Sequence, residues 1–121
     1  MSRFYNAGKD IMLTALMNEI DGLSLHNGDP GDGSQNEISG GGYSRPAVTS
    51  ANFSGPTNGE LIWASDMELD GEAEQAVDHI VFWANGAAVA RGQLAGSNQF
   101  NSEGKFTIVE GSTLSIENIV E

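Results

Sequence analysis

The sequence predicts a mainly β domain, an antiparallel β-sandwich or partly closed barrel with one N-terminal helix packed against it. The apolar residues follow a helical period only near the N-terminus and a period of two from Tyr43 onward. Sixteen glycines, against three prolines, separate the later apolar segments at the spacing of turns. The 121 residues show no internal repeat, so a single domain spanning residues 1–121 is expected.

The first element is predicted to be a helix over about residues 6–21. Asn6 is expected to act as its N-cap, Asp10 to lie in its first turn, where the helix dipole favours an anion, and Gly22 to end it. The apolar stripe at i, i+3, i+4 and i+7 consists of Leu13, Leu16, Met17 and Ile20. This stripe either packs on the domain or docks against a neighbouring subunit.

A short strand and a long glycine-rich loop follow the helix. Leu23–His26 alternates apolar and polar residues, as a strand does. Residues 27–42 contain Asn-Gly and Asp-Pro-Gly turn signals and close on three consecutive glycines. A loop of this length in a small domain is usually functional or disordered.

The remaining chain is predicted to form short strands separated by glycine turns. Val77–Trp83 is the most apolar stretch and is expected to be a central strand. Asn85-Gly86 is a strong hairpin signal. The predicted strands are Tyr43–Thr49 (an edge strand or strand start because of Pro46), Glu60–Trp63, Ala76–Trp83, Ala87–Leu94, Phe106–Val109 and Thr113–Ile116.

Composition limits the classes of function. The net charge of −12 disfavours binding to nucleic acid or to an anionic membrane surface. Such acidity suits a basic partner patch, or serves solubility alone. Without cysteine there is no disulfide and no thiolate chemistry. No signal peptide and no apolar run of membrane-spanning length is found, so a soluble protein made in a cytoplasm is expected.

The residues that could carry catalysis do not form a recognisable catalytic pattern. His26 and His79 lie in predicted strands, and Asp78 adjoins the second. A metal site needs three or four convergent ligands, which are not apparent. The nucleophile-elbow pattern found around the serine of some Ser-His-Asp hydrolases is absent as well. Strand histidines paired by backbone groups are the expected outcome. No catalytic residue is predicted, and the protein is expected not to be an enzyme.

The long loop also carries residues that could suggest a ligand site. Asp29, Asp32 and Glu37 could suggest calcium, but their spacing does not match an EF-hand, and solvated turn residues are expected instead. Gly40–Gly42 precedes a strand without a following lysine, unlike a phosphate-binding loop. The aromatic residues are expected to pack in the core rather than to line a sugar platform. No metal and no cofactor is predicted.

Two segments of the chain, residues 25–33 (LHNGDPGDG) and 36–48 (NEISGGGYSRPAV), are similar to the pattern SLHTADPG…NEVSGGGYARQAV. By these segments the chain resembles a family of small virion proteins of tailed bacteriophages, often described as tail fibre or head decoration proteins. Val77–Trp83 is similar to its VTHVGIWDA element, and the segments around Phe106 and residues 114–116 correspond to its last hairpin. The sequence departs from the pattern at Asn27, which replaces a threonine, and in the acidic segment 65–75.

The resemblance implies a non-enzymatic structural role in a virion assembled in the cytoplasm of a bacterial host. The expected partners are the major capsid protein or tail proteins, and the protein is expected to form a homo-oligomer on the particle. A compact domain without a shaft suits decoration and stabilisation of the capsid more than a projecting fibre. Attachment to the tail or its fibres, and a host-glycan-binding adhesion module, are the alternatives.

An interface is predicted around the N-terminal segment and the glycine-rich loop, both expected to become ordered against a neighbouring subunit. Arg3 and Arg45 would pair with carboxylates across this interface. Phe4, Tyr5 and Tyr43 would be its apolar anchors, because aromatic residues and arginine dominate interface energetics.

Overall fold

The computed structural model describes residues 4–115, and these form one α-helix and eight strands arranged in three antiparallel sheets. The predicted mainly β class with one N-terminal helix is confirmed. None of the sheets within this range closes into a barrel, and the arrangement is sandwich-like. The elements are α1 (Asn6–Glu19), β1 (Gly22–His26), β2 (Phe53–Thr57), β3 (Glu60–Trp63), β4 (Met67–Asp70), β5 (His79–Ala84), β6 (Ala87–Gln93), β7 (Lys105–Ile108) and β8 (Thr113–Ser115).

Helix α1 packs its apolar stripe on the domain, and its ends differ from the prediction. Leu13 and the C-cap residue Ile20 are buried in the core. The N-cap is Tyr5 rather than Asn6, and no side chain caps it. Asp10 lies beyond the first turn, where its carboxylate accepts a hydrogen bond from the Gly59 N–H at 2.8 Å.

Strand β1 follows so closely that Gly22 begins the strand and does not end the helix. The helix therefore ends at Ile20, whose backbone is extended and whose side chain is buried.

The first sheet has the order β1-β5-β6, with β5 in its centre. Four of the six side chains of β5 are buried, as its apolar sequence predicted. Asn85 and Gly86 both adopt positive φ angles, 52° and 78°, which is the conformation that a two-residue hairpin requires. The predicted β5–β6 hairpin is confirmed, with one register shift between Phe82 and Trp83.

The second and third sheets have the orders β2-β3-β8 and β4-β7. Strands β2 and β4 were not predicted. Strand β2 carries Gly55 and Pro56, which lie at a register shift where the ladder is interrupted. The predicted strand Tyr43–Thr49 is wrong, because only Ala47 makes an isolated bridge, with Gly22. Ile116, the end of the last predicted strand, lies outside the described residues.

One apolar core lies between the sheets and beneath α1. Phe53, Trp63 and Phe82 cluster with ring centroids 4.7–6.4 Å apart, and Phe100 packs against Phe106 at 5.5 Å. The prediction that aromatic residues form the core is confirmed for these five. Tyr5, in contrast, is 86% exposed.

Candidate interaction surface

The outward face of α1 is exposed and uncharged. A helical projection places five exposed residues side by side opposite the buried stripe. The hydroxyl of Thr14 donates to the Asp10 carbonyl at 2.8 Å, so its hydrogen-bonding capacity is partly used within the helix. We call this set the outer face of α1: Ala7, Ile11, Thr14, Ala15 and Asn18.

This face is unusual for a helix on the surface of an acidic protein. Ile11 is 74% exposed, although solvent-facing helix positions normally carry polar or charged residues. The charged residues of α1 lie to the sides or beneath, since Lys9 and Asp10 are partly buried and Glu19 lies at the margin. Three of the five residues of this face are apolar, so α1 carries apolar side chains on its outward side as well as on its buried side.

Exposed apolar side chains also occur just before α1 in the chain. Of the five large apolar side chains exposed within residues 4–115, three lie between positions 4 and 11: Phe4, Tyr5 and Ile11. Arg3 lies outside the described residues. Phe4 and Tyr5 directly precede α1 in the sequence and are exposed, and their role as anchors stays a prediction. The i, i+4, i+8 spacing of Ala7, Ile11 and Ala15 predicts a second apolar side of the helix. The stronger stripe that contains Leu13 and Leu16 lies in the same segment and masks this signal.

The glycine-rich loop is held by bonds within the chain. Its stem is closed by Asn27 N–H donating to the Asn36 carbonyl at 3.0 Å, and by Ile38 N–H donating to the Leu25 carbonyl at 3.1 Å. Pro30, Gly33 and Ile38 are buried. These contacts do not fit the expectation that the loop becomes ordered only against a neighbouring subunit.

A second set of bonds fixes the end of the loop through Glu37. One Glu37 oxygen accepts from the Tyr43 hydroxyl at 2.8 Å and from Arg45 Nε at 2.9 Å, and the other accepts from Arg45 Nη2 at 2.7 Å. The Tyr43 hydroxyl in turn accepts from the Leu25 N–H at 3.0 Å. The Arg45 guanidinium also lies over the Trp83 ring, 4.1 Å from its centroid.

These contacts shift the acidity of the groups. The bound Arg45 guanidinium holds the pKa of the Glu37 carboxyl below its ordinary value, and the Tyr43 hydroxyl acts in the same direction against the effect of burial. Burial raises the pKa of Tyr43 far above its ordinary value. Both groups therefore keep one protonation state at neutral pH.

Two of the five predicted interface residues already make contacts within the chain, and their role in an interface stays a prediction. Tyr43 is half-buried with its hydroxyl fully engaged, so it is not a free apolar anchor. Arg45 already has a bidentate carboxylate partner, and an ion pair across an interface would have to compete with it. Within the chain, both side chains hold the end of the loop through Glu37.

A buried polar chain links the loop to the first sheet. Trp83 Nε1–H donates to Ser24 Oγ at 2.8 Å, Ser24 Oγ lies 2.7 Å from His26 Nε2, and His26 Nδ1 lies 2.6 Å from the Gln35 carbonyl. Since a carbonyl only accepts, Nδ1 carries the proton and Nε2 accepts from the serine hydroxyl.

This series of hydrogen bonds resembles that of a catalytic serine and its histidine base, but Ser24 and His26 are both completely buried. Their bonds hold the loop on the sheet. The prediction of a backbone partner is confirmed for His26. It is wrong for His79, whose Nδ1 lies 2.7 Å from the Asp78 carboxylate.

The acidic loop residues act as local caps. Asp29 accepts from the Gly31 N–H and from Arg91, and Asp32 accepts from the backbone and hydroxyl of Ser34. The backbone bond from Gly31 lowers the pKa of Asp29, and the Ser34 hydroxyl lowers that of Asp32. No cluster of three metal-ligating side chains occurs in residues 4–115.

A cavity of about 210 Å³ lies where the three sheets meet, and nothing in the sequence pointed to it. Its walls include Trp63, Phe82 and Leu114. The Trp63 indole nitrogen is buried and has no hydrogen-bond partner among the described residues.

The described helix is too short and insufficiently apolar to cross a membrane. Comparison of the chain with protein-family models, with curated proteins and with solved structures gives no match.

Proposed function

We propose that this chain is a non-enzymatic structural protein of a bacteriophage particle, and that it decorates and stabilises the capsid surface. The observation that carries the assembly role is the uncharged, exposed outer face of α1 on a molecule of net charge −12. The resemblance of residues 25–33 and 36–48 to small virion proteins is the reason for proposing that this assembly is a bacteriophage particle.

The outer face of α1 has the properties of a site that is covered in an assembly. An apolar side chain exposed as far as Ile11 gains free energy when a partner removes it from water. The helix is about 21 Å long, so its face alone is smaller than a standard protein interface. Weak individual contacts of this size become effective when many copies bind one particle.

Capsid decoration is preferred to tail attachment on physical grounds. The described residues form a compact domain, with no helical or β-helical shaft to project a receptor-binding tip. Aromatic side chains of the sheets are mostly in the core, which gives no support to a glycan platform on a sheet face.

The test introduces a charge into the outer face. Ile11→Glu should abolish binding to the particle, because a desolvated carboxylate in an apolar contact is strongly unfavourable. Its stability should change by no more than about 0.5 kcal/mol, since Ile11 is exposed and makes few contacts to lose. Val89→Glu is the matched control, because Val89 is exposed on β6, away from α1.

The readout is binding of the tagged chain to separated phage heads and tails, with labelled particles examined by electron microscopy. Label on heads for the wild type and Val89→Glu, and none for Ile11→Glu, is the expected result. Label on tails would contradict capsid decoration and favour attachment to the tail. Normal occupancy by Ile11→Glu would contradict the role of this face, and binding to neither fraction would contradict the virion assignment.

A further inference from the structure

Strand β6 has one edge that is unpaired in the described part of the chain. It pairs with β5 on one side, and within residues 4–115 no other strand and no loop bonds to the backbone on its other side. With seven residues it is the longest of the eight described strands, and none of its residues is buried. An exposed strand edge offers a row of free N–H and C=O groups on which another strand can pair.

The register shows which backbone groups of β6 point to this free edge. The Leu25 carbonyl in β1 accepts from the loop, so Leu25 turns its backbone groups away from β5. Opposite residues of an antiparallel pair alternate between bonded and unbonded pairs, so the next pair, Ser24 with Val81, is a bonded one. Val81 is therefore not bonded to Arg91, its partner in β6. Arg91, and Gln93 by the same alternation, direct their N–H and C=O groups outward.

The other edges of the described sheets carry features that hinder pairing. The free side of β1 is covered by residues that follow it in the chain, as the bond to Leu25 shows. Strand β2 contains Gly55 and Pro56 at a register shift, and the described part of β8 spans three residues. In the two-stranded sheet, β4 carries two carboxylates and β7 a lysine. Short strands, proline and charges are the features by which natural proteins prevent edge pairing, and β6 contains neither proline nor an acidic residue.

The distribution of charge favours a second copy of this chain as the partner of β6. The chain has 17 acidic residues, but none lies between positions 79 and 102, the segment that contains β5 and β6. Two copies of net charge −12 repel each other wherever their acidic surfaces meet. The one charged residue of β6, Arg91, is already paired with Asp29 of its own chain. Like-charged copies can therefore approach at this edge, whereas a basic partner would be attracted more strongly to the acidic surface elsewhere.

We propose that two copies of this chain pair their β6 strands antiparallel about a two-fold axis, so that two three-stranded sheets become one continuous sheet. With the axis at Arg91, the two arginines would lie opposite each other, which like charges disfavour. With the axis at Gly92, Arg91 of each copy lies opposite Gln93 of the other, and each of these two pairs exchanges two backbone hydrogen bonds. Val89, which has no partner in β5, lies outside the paired stretch.

This pairing closes both free edges at once, because the contact is the same on both copies. It concerns the free protein in solution and contains no residue of the outer face of α1. It therefore does not depend on the proposed particle role, and either proposal can fail without the other.

The first test blocks the edge at Gln93. Its N–H points away from β5, so proline at this position removes no bond within the sheet. Gln93→Pro should weaken the dimer by at least about tenfold, because each copy loses one N–H that pairs across the axis. Gln93→Ala keeps this N–H and is the matched control, which should dimerise like the wild type. Sedimentation velocity at increasing protein concentration measures the association of all three.

Amide hydrogen exchange of the wild type, followed residue by residue by NMR, identifies the edge without any variant. The amides of Arg91 and Gln93 should become protected as the protein concentration rises. Those of Ala90 and Gly92, which face β5, should be protected at every concentration. Ile11→Glu should leave the dimer unchanged, which separates this edge from the outer face of α1.

Three results would overturn the inference. A wild type that stays monomeric up to about 1 mM would refute the pairing. Equal association of Gln93→Pro and the wild type, or loss of the dimer in Ile11→Glu, would show that copies meet at another surface. Protection of the Arg91 and Gln93 amides that does not depend on concentration would show that another part of the same chain covers the edge.

Discussion

Glu37 is the residue on which the geometry of the long loop depends most. Its carboxylate accepts three hydrogen bonds, two from Arg45 and one from Tyr43, and it is only 21% exposed. Charge-assisted bonds of this kind are stronger than neutral ones. Because Arg45 also stacks on Trp83, the same carboxylate fixes the guanidinium over the first sheet.

Glu37→Gln should lower the free energy of unfolding at pH 7 by about 1–3 kcal/mol, because an amide cannot accept all three bonds. The folded-state pKa of Glu37 lies below its unfolded value of about 4.3, so its contribution is complete above that pH. The contribution is then lost as the pH falls toward the folded-state pKa. The difference between wild type and variant should therefore shrink in acid.

Urea unfolding between pH 7 and pH 3 measures this difference. Glu110→Gln, which neutralises an exposed carboxyl, corrects for the general relief of negative charge. A difference that stays constant with pH would show that the ionised carboxylate is not what holds the loop.

Arg45→Ala offers a second measurement at residue scale, because it removes the ion pair and the contact with Trp83 together. It should unfold more easily than Arg91→Ala, whose partner Asp29 is 70% exposed at its side chain. Thermal unfolding compares the two. Equal midpoints would show that the stacked ion pair adds nothing beyond a surface pair.

At the scale of elements, the glycine-rich loop packs closely on the turn that follows β4. The contact is made between glycines. A Cβ built on Gly41 would come within 2.2 Å of the backbone of Gly71, and one built on Gly71 within 2.4 Å of the Phe100 ring. Distances under 3.0 Å cannot be accommodated unless something moves. Gly41 and Gly71 thus set how closely the loop approaches the third sheet.

Gly41→Ala and Gly42→Ala separate close approach from backbone strain. Both residues have positive φ, 62° and 84°, but a Cβ on Gly42 meets nothing within 4 Å. Gly42→Ala should lower stability by about 1–2 kcal/mol from the left-handed backbone alone. Gly41→Ala should lose about 1–3 kcal/mol more, from overpacking against Gly71. Chemical denaturation measures both, and equal losses would show that the loop does not rest on this turn.

The sequence correctly predicted the elements in which the spacing of apolar residues or the turn residues give a single clear signal. The stripe of α1, the apolar β5 and the Asn85-Gly86 hairpin follow from spacing and turn chemistry, and the structure confirms them. Strand β2 was missed because Gly55 and Pro56 interrupt its pattern. The partners of Glu37 and Trp83 were not predictable, since they depend on how a loop folds back onto a sheet.

At the scale of the whole molecule, most of the positive charges in the described residues are already paired with carboxylates. Of the four basic side chains in the described residues, Arg45, Arg91 and Lys105 pair with Glu37, Asp29 and Asp70. The remaining carboxylates leave a strongly negative surface, interrupted by the outer face of α1. Neighbouring copies on a particle would therefore repel one another everywhere except through uncharged contacts.

The salt dependence of particle binding distinguishes two modes of attachment. If the acidic surface meets a basic patch, affinity should fall as sodium chloride rises, because counter-ions screen the attraction. If the outer face of α1 makes the contact, affinity should rise or hold, because salt screens the repulsion between copies while leaving apolar burial intact. We expect the second result between about 50 mM and 500 mM, where the Debye length falls well below 10 Å. Occupancy measured by sedimentation with particles distinguishes the two modes. A steep decrease in occupancy with salt would show that the acidic surface, and not α1, makes the contact.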